Sequence, residues 1–461
     1  MIQNPVLSDT LQQVERKTLE AQRLLGSWDL EAARPLFLDV FSVVERLLVE
    51  RDKNNAIPKY ENVQRLKKRV HKILYLPVEV QAREWQSKRW LAERAVADGF
   101  TVVIGATWVL NKWAEKGLPP GVVLFKTLWG TDAHNMVVWN KHLIAALDEE
   151  AFGIDYSHPF AKNLVGHPLA VARCDLICAF GEEYGRMVRT VYPDANVKVT
   201  GNPRAVEAKP SGGEDILVCL PSATVNGKYR DFATAIMKTL ILYGFPLSSP
   251  QGQAWAAYQR QGILRDLDLM TPIKSVVLSL STMFKDRRIV VRPHPAEDDG
   301  LWTRAFEALS NVQVVGEGPI TKVLREAKAM VYAGGCTTGL DAFLAGLPSV
   351  RLELEWCGIS NHIHTGARTT EQIIRTVSDI LEGDPLRGSL KNYFKKESTL
   401  VEELSALWGD NSLEGIPDFA EVPEYNPSII NESKFPVVEL GELHFGNARQ
   451  VAWNTFIVQP K

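Results

Sequence analysis

The stretch IVVRPHPAED, residues 289–298, sets His294 between two prolines, directly behind a strand-forming run and Arg292, in a chain with only nine histidines. Proline fixes its own φ and carries no amide donor, so Pro293 and Pro295 present the imidazole from the strand end on stiff backbone. Such a histidine can donate to a phosphate oxygen, and Arg292 can add positive charge. The plainer alternative is a structural strand-end turn with a surface histidine. A second stretch, AGGCTTGLDAFLAG, runs a strand, MVYA, into Gly334, Gly335, Cys336, Thr337, Thr338 and Gly339, where a helix begins with Asp341 in its first turn. Small residues let a phosphate come close, hydroxyls and free amides donate to it, and the helix N-terminus contributes favourable partial charge. An ordinary N-cap by Thr337 or Thr338 is the alternative. The two stretches sit at strand ends of one expected sheet, and a single nucleotide phosphate would use both.

Carboxylates supply the complementary chemistry. In ALDEEAFG, Asp148, Glu149 and Glu150 follow the apolar HLIAAL, and clustered carboxylates raise at least one pKa, as a general acid or base requires. An acidic helix start or a solvated loop would look the same. In LPVEVQAREWQSKRW, Arg83 and Lys88 could meet an anionic sugar or carboxylate, with Glu79 and Glu84 beside them, unless this is only a charged helix face. Asn202 and Arg204, in VTGNPR, stand at a further strand end as substrate-binding candidates. Cys174 and Cys178 read as core positions, since no second cysteine pair or nearby histidine completes a zinc site, and no metal is expected.

Positioning these residues falls to alternating elements. Residues 1–70 carry apolar residues at helical spacing and read as a helical extension capping the main body, with oligomerisation as the minor alternative. From HKILYLPVEV onward, short continuous apolar runs alternate with helical stretches, which implies parallel strands covered on both faces. Pro-Ser-Gly-Gly before ILVCLP marks a linker. The expected organisation is α/β: one Rossmann-like domain over 71–207 and a second over 214–390, both doubly wound and facing a cleft. A helix and an irregular tail, returning to the first domain, are expected over 391–461.

Composition removes several classes. At 461 residues, two domains are the natural expectation. Lysine and arginine total 52 against 55 acidic residues, a net charge of −3, so there is no electrostatic footprint of a nucleic-acid binder. Five scattered cysteines and no leader-like start favour a reducing, cytoplasmic setting. No run approaches the ~20 apolar residues of a membrane-spanning helix, which leaves peripheral association at the inner membrane face as the only membrane role expected.

Taken in order, ILYLPVEVQARE, ALDEE, VTGNPR, VVRPHPAED and GGCTTGLDAFLAGLP resemble the bacterial surface carbohydrate biosynthesis proteins, which look like GT-B glycosyltransferases related to the retaining β-Kdo transferases. The likeness spans residues 73 to 365. It is similar in kind to bacterial sialyltransferases, with an acidic pair in the first domain and a His-Pro and a hydroxyl motif in the second. This resemblance implies transfer of an acidic sugar, such as Kdo, from a CMP-sugar to a glycan acceptor, with no cofactor beyond the donor. His294 and Thr337 or Thr338 would hold the nucleotide phosphate, with Arg292 nearby, and Glu149 would be the leading catalytic carboxylate beside Asp148 and Glu150. One departure stands out: related Kdo transferases use a carboxylate nucleophile near the opening of the second domain, where ILVCLPSATVNGKYRDF offers Asp231 as the nearest acid. Other readings are a UDP-N-acetylglucosamine 2-epimerase-like enzyme, a CDP-glycerol-type transferase, or a non-catalytic nucleotide-binding assembly partner using residues 1–70 as its contact surface.

Overall fold

The computed structural model describes residues 5–54, 68–79, 81–149, 151, 165–206, 212–220, 224–228, 232–242, 246–333, 337–353, 363–383, 395, 398–414, 443, 446–452 and 455–460. Glu150, Asp231, Gly335 and Cys336 lie outside these residues, as does the side chain of Arg83. The chain forms two compact units: one of residues 60–209, 318–321 and 389–461, the other of residues 1–59, 210–317 and 322–388.

The first unit is built on strands β1 (Ile73–Val78), β2 (Thr101–Ala106), β3 (Val122–Phe125), β4 (Leu143–Leu147), β5 (Leu176–Ala179) and β6 (Val197–Val199). Every residue of β1 to β5 is buried, which is why these runs are continuously apolar: helices cover both faces of the sheet. Cys174 and Cys178 are buried, Cys178 within the main core. The strands lie in the order β2-β1-β3-β4-β5-β6, all parallel. The order reverses between β1 and β3, so the crossovers on either side diverge there and leave a crevice beyond the strand carboxyl ends.

Beyond β2 the sheet continues with a hairpin, β13 (Asn447–Ala452) and β14 (Thr455–Gln459), in which β14 pairs antiparallel with β2. The composition of the last sixty or so residues suggests irregular structure, but TFIVQ is apolar enough to pair, and its first four residues are buried against the β2 edge. Gly105 makes room for this, because a Cβ there would fall 2.5 Å from Thr455 Oγ1.

The second unit carries β7 (Asp215–Cys219), β8 (Ile289–Arg292), β9 (Val312–Val314), β10 (Ala327–Ala333), β11 (Ser349–Leu352) and β12 (Thr365–Ala367), all parallel in the order β12-β11-β10-β7-β8-β9. A doubly wound sheet starts in its middle and grows first to one side, then to the other. The strands carrying RPHP and GGCTTG share one sheet, as expected, but are not neighbours: β7 runs between β8 and β10. Helical periodicity through Ala329 is overridden in the same way, since pairing with Asp215 of β7 begins the strand at Ala327.

The helices Pro5–Gly26 and Leu30–Asn54 belong to this second unit. Phe37 meets Phe232 edge-on at 4.5 Å, Trp28 meets Trp302 at 5.2 Å, and Arg260 pairs with Glu45 at 2.8 Å. Two doubly wound, Rossmann-type α/β units in one chain, with N-terminal helices, are the fold class that the sequence leads one to expect. Among the described residues no helix is long and apolar enough to cross a membrane.

Candidate functional site

At the reversal point of the first sheet, the strand ends gather charge. The helix Gln81–Ala97 follows β1, and Glu84 and Lys88, four residues apart, share its inward face; both are buried. Glu84 accepts from the Glu79 amide at 3.0 Å. Lys126, just past β3, reaches Glu79 at 2.5 Å and Glu84 at 3.4 Å. Glu149, past β4, is tied to the same place through its amide, which donates to the Lys126 carbonyl at 2.9 Å. Arg204 follows β6 in the short helix Pro203–Val206, with its amide donating to Asn202 Oδ1 at 2.9 Å.

Three buried polar groups here lack bonding partners among the described residues. The Glu149 carboxylate is buried yet accepts no hydrogen bond, and burial pushes its pKa above the ordinary carboxylate range. Lys88, then Arg204 and Lys126, oppose that rise, while Glu84 adds to it. Lys88 itself, 4% exposed, closes no ion pair with the carboxylate it faces electrostatically. Asn202 is fully buried, and its Nδ2 has no hydrogen-bond partner. A buried donor without a partner is costly, so Asn202 Nδ2, close to two charged groups that make no ion pair, marks a place where a ligand would complete the bonding. Asp148 is different: its carboxylate accepts from the amides of Ala151 (3.0 Å) and Leu128 (3.4 Å) and from the Tyr184 hydroxyl (3.4 Å), which occupies it in holding the β4 end.

Lys126 and Asp132 carry no signal in the sequence beyond a lone lysine and an acidic residue in a helix start, and both belong to the site. Asp132 lies in the first turn of Gly130–Val138 and accepts from the Thr127 hydroxyl. Burial raises its pKa to about 6, against the Thr127 hydrogen bond and the Lys126 charge, which lower it. A carboxyl whose folded-state pKa is raised binds more protons folded than unfolded, so its contribution favours folding below the unfolded value and is lost as pH rises through about 6. Asp132→Asn is expected to flatten that slope between pH 4 and 7, gaining on the order of 2 kcal/mol relative to wild type above it. Urea denaturation across that pH range reads the change, and parallel slopes in the two proteins would refute it.

In the second unit, Arg292 ends β8 with its guanidinium turned aside: Nη1 donates to the carbonyls of Val315 (2.9 Å) and Glu317 (2.5 Å). The arginine therefore braces the β9 loop, and desolvation lowers its pKa. His294 and Pro295 are exposed. The Ala296 amide donates to His294 Nδ1 at 3.2 Å, so the neutral ring carries its proton on Nε2, the donor a phosphate oxygen needs. The residue that shapes this loop is one the sequence reading passed over. Glu297, 2% exposed, accepts from the His294 amide at 3.0 Å and from Trp302 Nε1 at 2.6 Å, with Asn226 Nδ2 at 3.5 Å. Lys228 and Asp298 amides bond across to the carbonyls of Ala296 and Asn226, both at 2.8 Å, which laces the β8 loop to the β7 loop.

Thr337 and Thr338 open the helix Thr337–Leu344, half-buried, with Asp341 also half-buried. Gly339 is required there: a Cβ would lie 2.7 Å from the Tyr332 ring, so the helix start rests directly on β10. The Thr337 and His294 sites thus share one carboxyl edge of the sheet, two strand spacings or about 10 Å apart.

No family model matches the sequence, and no curated protein matches it. Solved structures with a likeness include the pneumococcal O-GlcNAc transferase GtfA in complex with UDP and GlcNAc (10% identity, 66% of this chain, 56% of that chain, TM-score 0.32). They include the wall teichoic acid polymerase TagF, H444N variant (8%, 87% and 97%, 0.37), and the spinosyn rhamnosyltransferase SpnG (13%, 74% and 96%, 0.33). The chain spans 57% of the Streptococcus pneumoniae accessory secretory protein chain that it also matches, at 10% identity and a TM-score of 0.33.

Proposed function

We propose that this protein is a nucleotide-sugar-dependent glycosyltransferase of GT-B type, acting on a surface glycan on the cytoplasmic side of the membrane. The observation that carries the reading is the buried, unbonded set of Glu149, Lys88 and Asn202 at the reversal point of a doubly wound sheet, where ligands of such sheets bind. An acceptor sugar offers hydroxyls that both donate and accept. One hydroxyl donates to Glu149 while its neighbours accept from Lys88 and Asn202, and Glu149 takes the proton as the hydroxyl attacks the anomeric carbon.

The second unit takes the donor. Charge builds on the departing nucleotide phosphate, and His294 Nε2–H together with the hydroxyls and amides at the Thr337–Thr338 helix start stabilises it. This chemistry uses no metal. The CMP-linked acidic sugar, Kdo in the first instance, rests on the sequence resemblance. Thermal-shift titration with CMP, CDP and UDP tests the donor class. Saturation with CMP to a hundred times its Kd is expected to stabilise by about 2.7 kcal/mol, and His294→Ala is expected to remove that shift. Stabilisation by UDP alone would exclude a CMP donor.

A further inference from the structure

Near the carboxyl end of β11 the second sheet holds a buried guanidinium whose one ion pair is long. Parallel register aligns Tyr332 of β10, Arg351 of β11 and Gly366 of β12 in one row on one face. Arg351 is 2% exposed, and its Nε and Nη1 have no hydrogen-bond partner. Its Nη2 stands 3.7 Å from Glu353 Oε1, while the other oxygen of Glu353 is taken by Arg368 at 2.8 Å. Gly366 gives the guanidinium its room, since a Cβ there would lie 2.8 Å from Nη2. His364, 5% exposed, shares a 2.8 Å hydrogen bond between Nδ1 and the Tyr332 hydroxyl, and its Nε2 has no partner. Burial and the Arg351 charge hold His364 neutral, its pKa lowered to about 3.

In the tautomer in which the Tyr332 hydroxyl donates to Nδ1, the ring presents Nε2–H. The cluster then offers unbonded N–H donors from two buried side chains, with the Glu353 carboxylate 3.7 Å from Nη2 as its one counter-charge, shared with Arg368. Water would need acceptors for its own hydrogens, whereas an acceptor-only anion needs none and adds to the negative charge that Glu353 divides between Arg351 and Arg368. We propose that Arg351 and His364 hold a small resident anion of halide size, which balances the guanidinium beneath the Tyr332 ring on which the Gly339 helix start rests. The anion takes no part in the proposed transfer, although Tyr332 touches Gly339 of the helix start assigned above to the phosphate.

Bromide tests it directly. In crystals of the full-length protein grown with bromide, an anomalous peak is expected beside Arg351 Nη1 and His364 Nε2. In solution, the melting temperature is expected to rise with chloride or bromide but not with gluconate at equal ionic strength, and Arg351→Met is expected to abolish the difference. Should Arg351→Met fail to fold, His364→Gln, which keeps a donor near Nε2, is expected to retain the halide response, whereas His364→Leu weakens it at least severalfold. No anomalous peak together with equal melting in halide and gluconate would overturn the proposal, leaving ordered water at the cluster. So would stabilisation by CMP, CDP or UDP in halide-free buffer that Arg351→Met removes, because the anion would then be the phosphate of a substrate.

Discussion

Glu149→Gln is expected to lower kcat for glycosyl transfer by about 10²–10⁴-fold while leaving nucleotide-induced stabilisation intact, since the amide cannot take the acceptor proton and the residues proposed to hold the donor are unchanged. The pH profile separates this role from a structural one. Burial holds the Glu149 pKa above the ordinary carboxylate range, so the wild-type rate should fall as pH drops through that raised value, where the base becomes protonated. In the Gln variant that acidic limb should disappear. Transfer at the wild-type rate, or an acidic limb that persists in the variant, would remove Glu149 from the chemistry.

Glu297→Ala should cost about 2–4 kcal/mol of stability, because it strips the acceptor from several buried donors at once. The His294 amide, Trp302 Nε1 and Asn226 Nδ2 all point at this carboxylate, and Trp302 in turn packs against Trp28. Glu297→Gln keeps one oxygen and turns the other position into a donor, so about half of the loss is expected. A lower urea midpoint in the order wild type, Gln, Ala reads this. A second consequence follows from the lacing of the β7 and β8 loops: the Ala variant should also lose the CMP-dependent shift, as His294→Ala does. An unchanged midpoint for Glu297→Ala would show that the loop is held by its prolines alone.

Strand positions were legible in the sequence because fully buried parallel strands have to be continuous apolar runs, and ILYLPV, TVVIGA and IVVR stand out as such. Strand order was less so: nothing in the residues says that β7 runs between β8 and β10. The carboxylate cluster was visible as three consecutive acids, yet adjacent residues point different ways. Asp148 turns inward to Tyr184 and backbone amides, and Glu149 faces Lys88. Lys126 and Asp132 escaped notice because a lone charge acquires meaning only once β1, β3 and β4 end side by side. For Arg292 the residue type suggested a phosphate ligand, but no sequence pattern shows that its Nη1 donates to the carbonyls of Val315 and Glu317.

The antiparallel strand against β2 also constrains how the polypeptide acquires its shape during synthesis. Residues 101–106 leave the ribosome long before residues 455–459, so the β2 edge waits with unpaired amides and carbonyls while everything between is made. Such an edge invites pairing with another nascent chain. Shortening the chain by its last seven residues should therefore act less on the finished site than on the yield of protein that escapes aggregation during synthesis.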